Sequence, residues 1–462
     1  MKKLIALLLA LVMVFALAAC GPKTPPVEPG PASNPGTEPS GPAGDQPSEP
    51  VDDQPTGTVQ GVTDTEILVG NTAATTGAFA SIGVPFNAGL EAALKAYNDA
   101  GGFQGKTIRL IHYDDGFDAA QGMTYTKTLA ETDKVFALVG HFGTNTVGAT
   151  LDYVKGLGIP TVYAVTGISA LYQEGAAGKD ACVMSVQPIY DAEGRVLLAR
   201  AVAATDDNIG LGGKKIGVIS TTDDAGEGIL AGIKRQAQEG SFDITYQEVQ
   251  ADATDYSAAV NVLKNAGCDV VIAAMNQPPL VTTVNAMRDA NFNAKVITSY
   301  VSASAVTLGQ LVADGSITAD RPVYTTAWLD VTTEEGMADY MAFAGVMAAW
   351  EAENGVAPED TYVLNSYAMA GYVAGMTFIH GLNQLTAQGG ELTWENYIAA
   401  MESAPLHVPM GGELSFANGD RLGITALALN TVSLTPDEST GAYTLLSVSP
   451  IMSLDDVWAH VG

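Results

Sequence analysis

Two short stretches combine side-chain hydroxyls with glycines in a way that suits an anionic oxygen. Gly140-His141-Phe142-Gly143-Thr144-Asn145-Thr146 follows an apolar run and leads into a helix-period segment, and Ala164-Val165-Thr166-Gly167-Ile168-Ser169 follows the next apolar run. Hydroxyls beside the unpaired N–H groups of a helix N-terminus favour negative charge, and two such loops from neighbouring strands could hold one carboxylate between them. Thr144 and Thr166 also have a plainer use as helix caps, a role that composition by itself favours. A third stretch, Thr75-Thr76-Gly77-Ala78-Phe79-Ala80-Ser81-Ile82-Gly83, offers Phe79 either to a cleft or to the underside of its own helix. In a fourth, Thr221-Thr222-Asp223-Asp224-Ala225-Gly226-Glu227-Gly228, an acid can accept from an ammonium group or cap the helix that follows.

Catalysis has less support. The chain contains no G-x-S-x-G, no H-E-x-x-H and no C-x-x-C. Its five histidines are scattered; His141 alone falls in a candidate loop, where a polar contact or a capping role suffices. Gly210-Leu211-Gly212-Gly213-Lys214-Lys215 has the look of a phosphate loop, but it precedes a strand and no Ser or Thr follows its lysines. No catalytic residue, metal or cofactor is expected.

The elements that must position these loops alternate along the chain. Apolar runs at 67–71, 107–113, 135–139 and 160–163 read as strands, and 85–100, 119–131 and 145–155 read as helices between them. A second series opens near 191 with a helix to 204, then strands 215–220, 244–249, 270–274 and 295–299 separated by helices 228–238, 257–266 and 279–290. A pattern that restarts predicts an α/β protein of two doubly wound lobes, whose ligands bind outside the carboxyl ends of the strands. Beyond 334 the chain reads as mostly helical to 401, with late strands at 413–416, 424–433 and 442–448.

The 462 residues carry 21 Lys+Arg against 51 Asp+Glu, a net charge of −30, which repels polyanions and excludes nucleic acid as a partner. Met1-Lys2-Lys3, the apolar run 4–17 and Leu17-Ala18-Ala19-Cys20 read as a secretory signal over 1–19. Leu-Ala-Ala-Cys also resembles the bacterial lipobox, which makes Cys20 the lipidated first residue and the anchor to a membrane. Eleven of the 22 prolines then fall within 21–57, so 20–62 is expected to be an extended tether of up to about 100 Å.

Between Ile67 and Val448 the chain resembles the type I periplasmic binding proteins of the branched-chain amino acid class, the substrate-binding components of ABC importers. The carriers are Ile67-Leu68-Val69-Gly70 with Thr76-Gly77, Ala88-Gly89-Leu90-Glu91-Ala92-Ala93, and Asn98-Asp99-Ala100-Gly101-Gly102-Phe103-Gln104-Gly105-Lys106, followed by Tyr113-Asp114-Asp115, Gly158-Ile159-Pro160, Gly226-Glu227-Gly228, Thr254-Asp255-Tyr256-Ser257 and Gly267-Cys268-Asp269-Val270-Val271. The resemblance implies Rossmann-like lobes joined by three crossovers, 63–188 with 322–410 and 189–321 with 411–462, closing on a ligand by hinge motion. It implies a monomer, a lipid-anchored binding protein at the outer face of a bacterial cell membrane, with ABC permease and ATPase subunits as partners. It places a ligand carboxylate on Thr144, Val165 and Thr166, with Asn145 adjacent and Ile82 at a position that often carries an aromatic.

Three departures from the family pattern stand out. Ala225 replaces a stacking tyrosine. The loop Tyr300-Val301-Ser302-Ala303-Ser304 lacks the acid that meets an ammonium, which leaves Asp223, Asp224 or a residue of another loop to substitute, or a ligand that is no conventional amino acid. The disulfide of some members has no counterpart, since Phe117 and Gly143 occupy its region, and Cys182 and Cys268 are expected to be buried separately.

Overall fold

The computed structural model describes residues 59–462 apart from 332 and 439. The expected signal segment, Cys20 and most of the tether lie outside the described residues. The tether's last residues do not extend: Gln60 donates its amide to Ala130 O and Val135 O, and Val62 bridges Ile67, so 59–62 are docked on the folded body. No helix among the described residues is long and apolar enough to cross a membrane.

The first lobe runs β1 (Glu66–Ala73), α1 (Ala80–Asp99), β2 (Thr107–Asp114), α2 (Ala119–Lys127), β3 (Ala137–Val139), α3 (Thr144–Leu157), β4 (Thr161–Val162) and β5 (Val183–Met184). Its strands form one parallel sheet in the order β2-β1-β3-β4-β5. Strand β4 stops two residues after it starts because Tyr163 takes φ 54°, a left-handed backbone that a bulky aromatic rarely adopts. After a crossover at 185–189 the second lobe follows: α4 (Tyr190–Val202), β6 (Ile216–Thr221), α5 (Asp224–Gly240), β7 (Ile244–Val249), α6 (Ser257–Ala266), β8 (Val270–Ala274), α7 (Gln277–Asp289), β9 (Lys295–Thr298), α8 (Ala305–Ala313) and β10 (Val323–Ala327). Every residue of β8 is buried, as a central strand covered on both faces requires.

The chain then returns as α9 (Glu334–Asn354), α10 (Ser366–Gln388), α11 (Trp394–Glu402) and a small hairpin, β11 (Leu406–Val408) with β12 (Gly412–Leu414). It crosses a third time to β13 (Leu427–Val432), β14 (Leu445–Met452) and α12 (Leu454–Trp458). The second sheet is β14-β13-β10-β9-β8-β6-β7, with β13 and β14 antiparallel.

Two boundaries differ from expectation. Residues 322–327 do not return to the first lobe: β10 pairs in parallel with β9, completing a strand-helix-strand unit before the chain leaves. Nor does the second lobe resume at 411, because β12 pairs with β11, and Leu414, Phe416 and Ile424 belong to the first lobe's apolar cluster. The crossovers touch one another, Ile424 donating to Val186 O at 2.9 Å and Asp330 to Met410 O at 2.7 Å. Buried Arg421 braces them, pairing with Glu402 at 2.5 Å and donating to Ala181 O at 2.8 Å. The late helices pack on α1 at glycines that face the neighbouring backbone directly, Gly89 against Ala368 and Gly371 against Phe86. Doubly wound sheets and three crossovers make this the two-lobed α/β fold that the alternating pattern predicts.

Candidate functional site

The loops after β3 and β4 lie side by side. Phe142 and Val165 form a parallel bridge, Gly143 N donates to Val165 O at 3.1 Å, and Val165 N donates to His141 O at 2.8 Å. Gly143 is required at its position: its φ is +100°, and a Cβ there would lie 2.9 Å from the Phe117 ring. This register brings Thr144 Oγ1 to 3.0 Å from Thr166 Oγ1 and to 3.1 Å from the hydroxyl of Tyr190, with all three residues buried. The capping role is not theirs, since Gly143 stands at the N-cap of α3 and Ile168 at that of the short turn after Thr166, and neither end has a side-chain cap.

The hydroxyl of Tyr190 engages Thr166 as well as Thr144, so the three hydroxyls form one mutually bonded cluster. A hydroxyl of that cluster turned towards the positive end of α3 is a donor suited to an anionic oxygen. The backbone amides that the family resemblance implied as donors are otherwise engaged: Val165 N on His141 O, and Thr166 N on Ala164 O at 2.9 Å. Val165 is therefore scaffold here. Asn145 is a strut as well, its amide donating to Phe117 O at 3.2 Å.

His141 stands behind the loop, within 3.0 Å of Thr150 Oγ1 and 3.4 Å of Thr72 Oγ1, a polar contact and no more. Burial lowers its pKa from 6.5 to about 4, because the charged ring would lose its solvation there. In the unfolded chain the ring takes a proton near pH 6.5, so its contribution to stability is intact above that value and is lost as pH falls towards 4. The wild type should therefore lose up to about 3 kcal/mol more than His141→Asn over that window. Urea unfolding at pH 7 and pH 4.5 measures this; parallel pH profiles for the two proteins would refute it.

The second lobe and the first crossover complete the surroundings. Tyr163 donates to Gln187 Oε1 at 2.9 Å, Gln187 Nε2 donates to the hydroxyl of Tyr300 at 2.9 Å, and Tyr300 donates to Pro188 O at 2.6 Å. One crossover glutamine thus joins a tyrosine just past the carboxyl end of a strand in each sheet, β4 and β9. Tyr367 on α10 reaches over to Val301 O at 3.2 Å, and Ser81 of α1 lies 3.5 Å from Gln277 of α7, so the lobes meet on more than one side. Burial raises the pKa of all four phenols, Tyr163, Tyr190, Tyr300 and Tyr367, and keeps them protonated as donors.

The other expected residues are placed as follows. Phe79 stacks on Phe117 with ring centroids 3.9 Å apart, so it packs beside the Gly143 loop. Ile82 is buried in the first lobe's apolar cluster, and Ala225 is buried in the cluster that also holds Ile168 and Tyr190. Asp223 caps α5 through Gly226 N with its Oδ1, while its Oδ2 faces Asn276 Nδ2 at 3.4 Å. Asp224 is exposed, its Oδ2 reaching the α3 surface at Gly148. The acid missing from the 300–304 loop has a neighbour that the sequence reading overlooked: Glu193 on α4, fully buried, accepts from Ser299 Oγ at 2.7 Å and Tyr300 N at 3.1 Å, and bonds Thr326. Tyr190, Gln187 and Tyr163 were also overlooked. The only signal for them was polar and aromatic residues bracketing Pro188 where the second series begins. Cys182 and Cys268 are both buried as free thiols.

A periplasmic binding protein family model matches residues 66–438. A Leu/Ile/Val-binding protein homolog 1 from Brucella abortus (strain 2308) is 29% identical over 242 residues, covering 50% of this chain and 60% of that one; the match thus spans less than two thirds of that relative's length. Among solved structures, a fatty acid ABC transporter substrate-binding protein from Thermomonospora curvata superposes with a TM-score of 0.70 at 19% identity, over 87% of this chain and 97% of that one. A solute-binding protein from R. palustris in complex with benzoate gives 0.64 at 18%, over 84% and 98%. At such identities the superpositions speak for the fold, while the family match covers most of the sequence and implies an extracytoplasmic location. The chain belongs to the periplasmic binding protein family.

Proposed function

We propose that the protein is the lipid-anchored substrate-binding component of an ABC importer, and that it captures a small carboxylate-bearing solute between its lobes and presents it to a permease and its ATPase. One observation carries this reading: the buried hydroxyls of Thr144, Thr166 and Tyr190, contributed by both lobes, gather into one cluster at the N-terminus of α3. A carboxylate there gains charge-assisted bonds from the first lobe and from the first turn of the second, so ligand favours the closed arrangement. The relatives named as Leu/Ile/Val-binding support a branched-chain amino acid. A second reading, an aromatic acid or a short amide, is supported by the four phenols around the hinge and by the absence of an acid from the 300–304 loop. A sensing ectodomain for a signalling partner would use the same site.

Thermal-shift measurements with L-isoleucine, L-leucine, benzoate and decanoate test it. At a hundredfold excess over Kd a ligand adds about 2.7 kcal/mol to stability, a shift of several degrees. An amino acid acting alone supports the first ligand class, benzoate acting alone the second. No response to any carboxylate at millimolar concentration would defeat both. Recovery of chemically altered ligand would defeat the binding role.

A further inference from the structure

Glu193 has no place in the carboxylate site, yet the structure builds a polar chamber around it. It lies in the first turn of α4, one helical turn after Tyr190, so both side chains leave the same face of the helix. Tyr190 reaches towards Thr144 of the first lobe, while Glu193 turns into the second lobe and receives Ser299, the Tyr300 amide and Thr326. Ser299 Oγ in turn accepts from Val301 N at 3.2 Å, and Thr326 Oγ1 from Tyr300 N at 3.0 Å. The carboxylate is thus the terminal acceptor for the Ser299 hydroxyl, the Tyr300 amide and the Thr326 hydroxyl, and the 299–301 turn carries Tyr300 to Gln187 and Pro188 in the first crossover.

No cation offsets it. The titratable groups facing Glu193 are the phenols of Tyr190, on its own helix, and Tyr300, from the loop after β9. Strand β10 presents the Thr326 hydroxyl, and β8 and β13 contain no titratable residue. Of the charged residues on α4, Asp191 and Arg195 turn outward to α5, pairing with Arg235 and Glu239, while buried Arg200 is held by Ile209 O, Leu427 O and Ser449 Oγ. Burial therefore raises the carboxyl from 4.5 to about 7, opposed but not cancelled by its three donors.

We propose that Glu193 is a positioning residue whose ionised carboxylate holds Tyr300 against the first crossover, so that the grip of the second lobe on the hinge is proton-linked. When a proton is taken up, the carboxyl must itself donate, one of its three donors loses its acceptor, and the 299–301 turn loosens. The bearing of Tyr300 on a ligand rests on the function proposed above. The proton linkage does not, and its test contains no ligand.

Hydrogen exchange of the full chain, corrected for intrinsic rates, should show protection at the Tyr300 and Val301 amides falling at least about fivefold as pH is lowered from 8.5 to 6. His141 stays neutral across that range. Glu193→Gln should remove the pH dependence at these amides. Ser299→Ala, which deletes one donor to the carboxylate, should move the wild-type midpoint to higher pH, and it keeps the test decisive if the glutamine variant does not fold. Protection that is flat from pH 6 to 8.5 in the wild type, or a midpoint unmoved by Ser299→Ala, overturns the proposal.

Discussion

Replacing Thr144 and Thr166 together with valine should weaken carboxylate binding at least about thirtyfold, since each hydroxyl bonded to a charged oxygen contributes about 1 to 3 kcal/mol. Valine keeps the shape of threonine and removes only the polar atom, so the folded lobes should persist. The two single variants should not sum to the double. Thr144 and Thr166 bond each other at 3.0 Å, and removing either hydroxyl also disturbs the proton count of the other. Tyr190→Phe should behave as a third member of the same group, because its hydroxyl bonds Thr144 from the second lobe. Calorimetric titration with whichever carboxylate raises the melting temperature gives the constants, and the ligand-free melting temperature of each variant reports folding. A double variant that binds as tightly as the wild type would remove the site from these loops.

Gly371→Leu should destabilise the protein by about 4 kcal/mol or more, the upper range for a single core substitution. A Cβ on Gly371 would lie 1.8 Å from Phe86 O, and one on Gly89 would lie 1.9 Å from Ala368 O. Both obstacles are backbone carbonyls inside helices, so no side-chain rotation relieves them, and α1 and α10 must separate. Gly345→Ala provides the contrast. That glycine lies inside α9 with nothing within 4 Å of the added carbon, and alanine there should be neutral or stabilising by up to about 1 kcal/mol. Urea unfolding distinguishes the two, and a Gly371→Leu protein as stable as the wild type would contradict the close helix contact.

The alternating series, and with it the two doubly wound lobes, was legible because each strand is a short apolar run and each helix repeats at its own period. The candidate loops followed from the rule that ligands gather at strand carboxyl ends, and Thr144 and Thr166 do meet there. Element ends were less legible. The helix expected from 85 begins at Ala80, because Pro85 is tolerated inside α1 where a proline would ordinarily mark a start. Strand β4 is cut short by the conformation of Tyr163, which no periodicity records.

Local pattern determined which segments are strands and helices, where the chain restarts, and which residue types stand at the loop tips. Tertiary structure alone decided that β10 stays with the second sheet, that Tyr190 comes within 3.1 Å of a threonine 46 positions earlier, and that Glu193 is enclosed beneath Tyr300. The reason is physical. Periodicity reports which face of an element is buried, whereas partners across a cleft depend on crossovers, backbone approach and side-chain directions that are set only when distant segments pack.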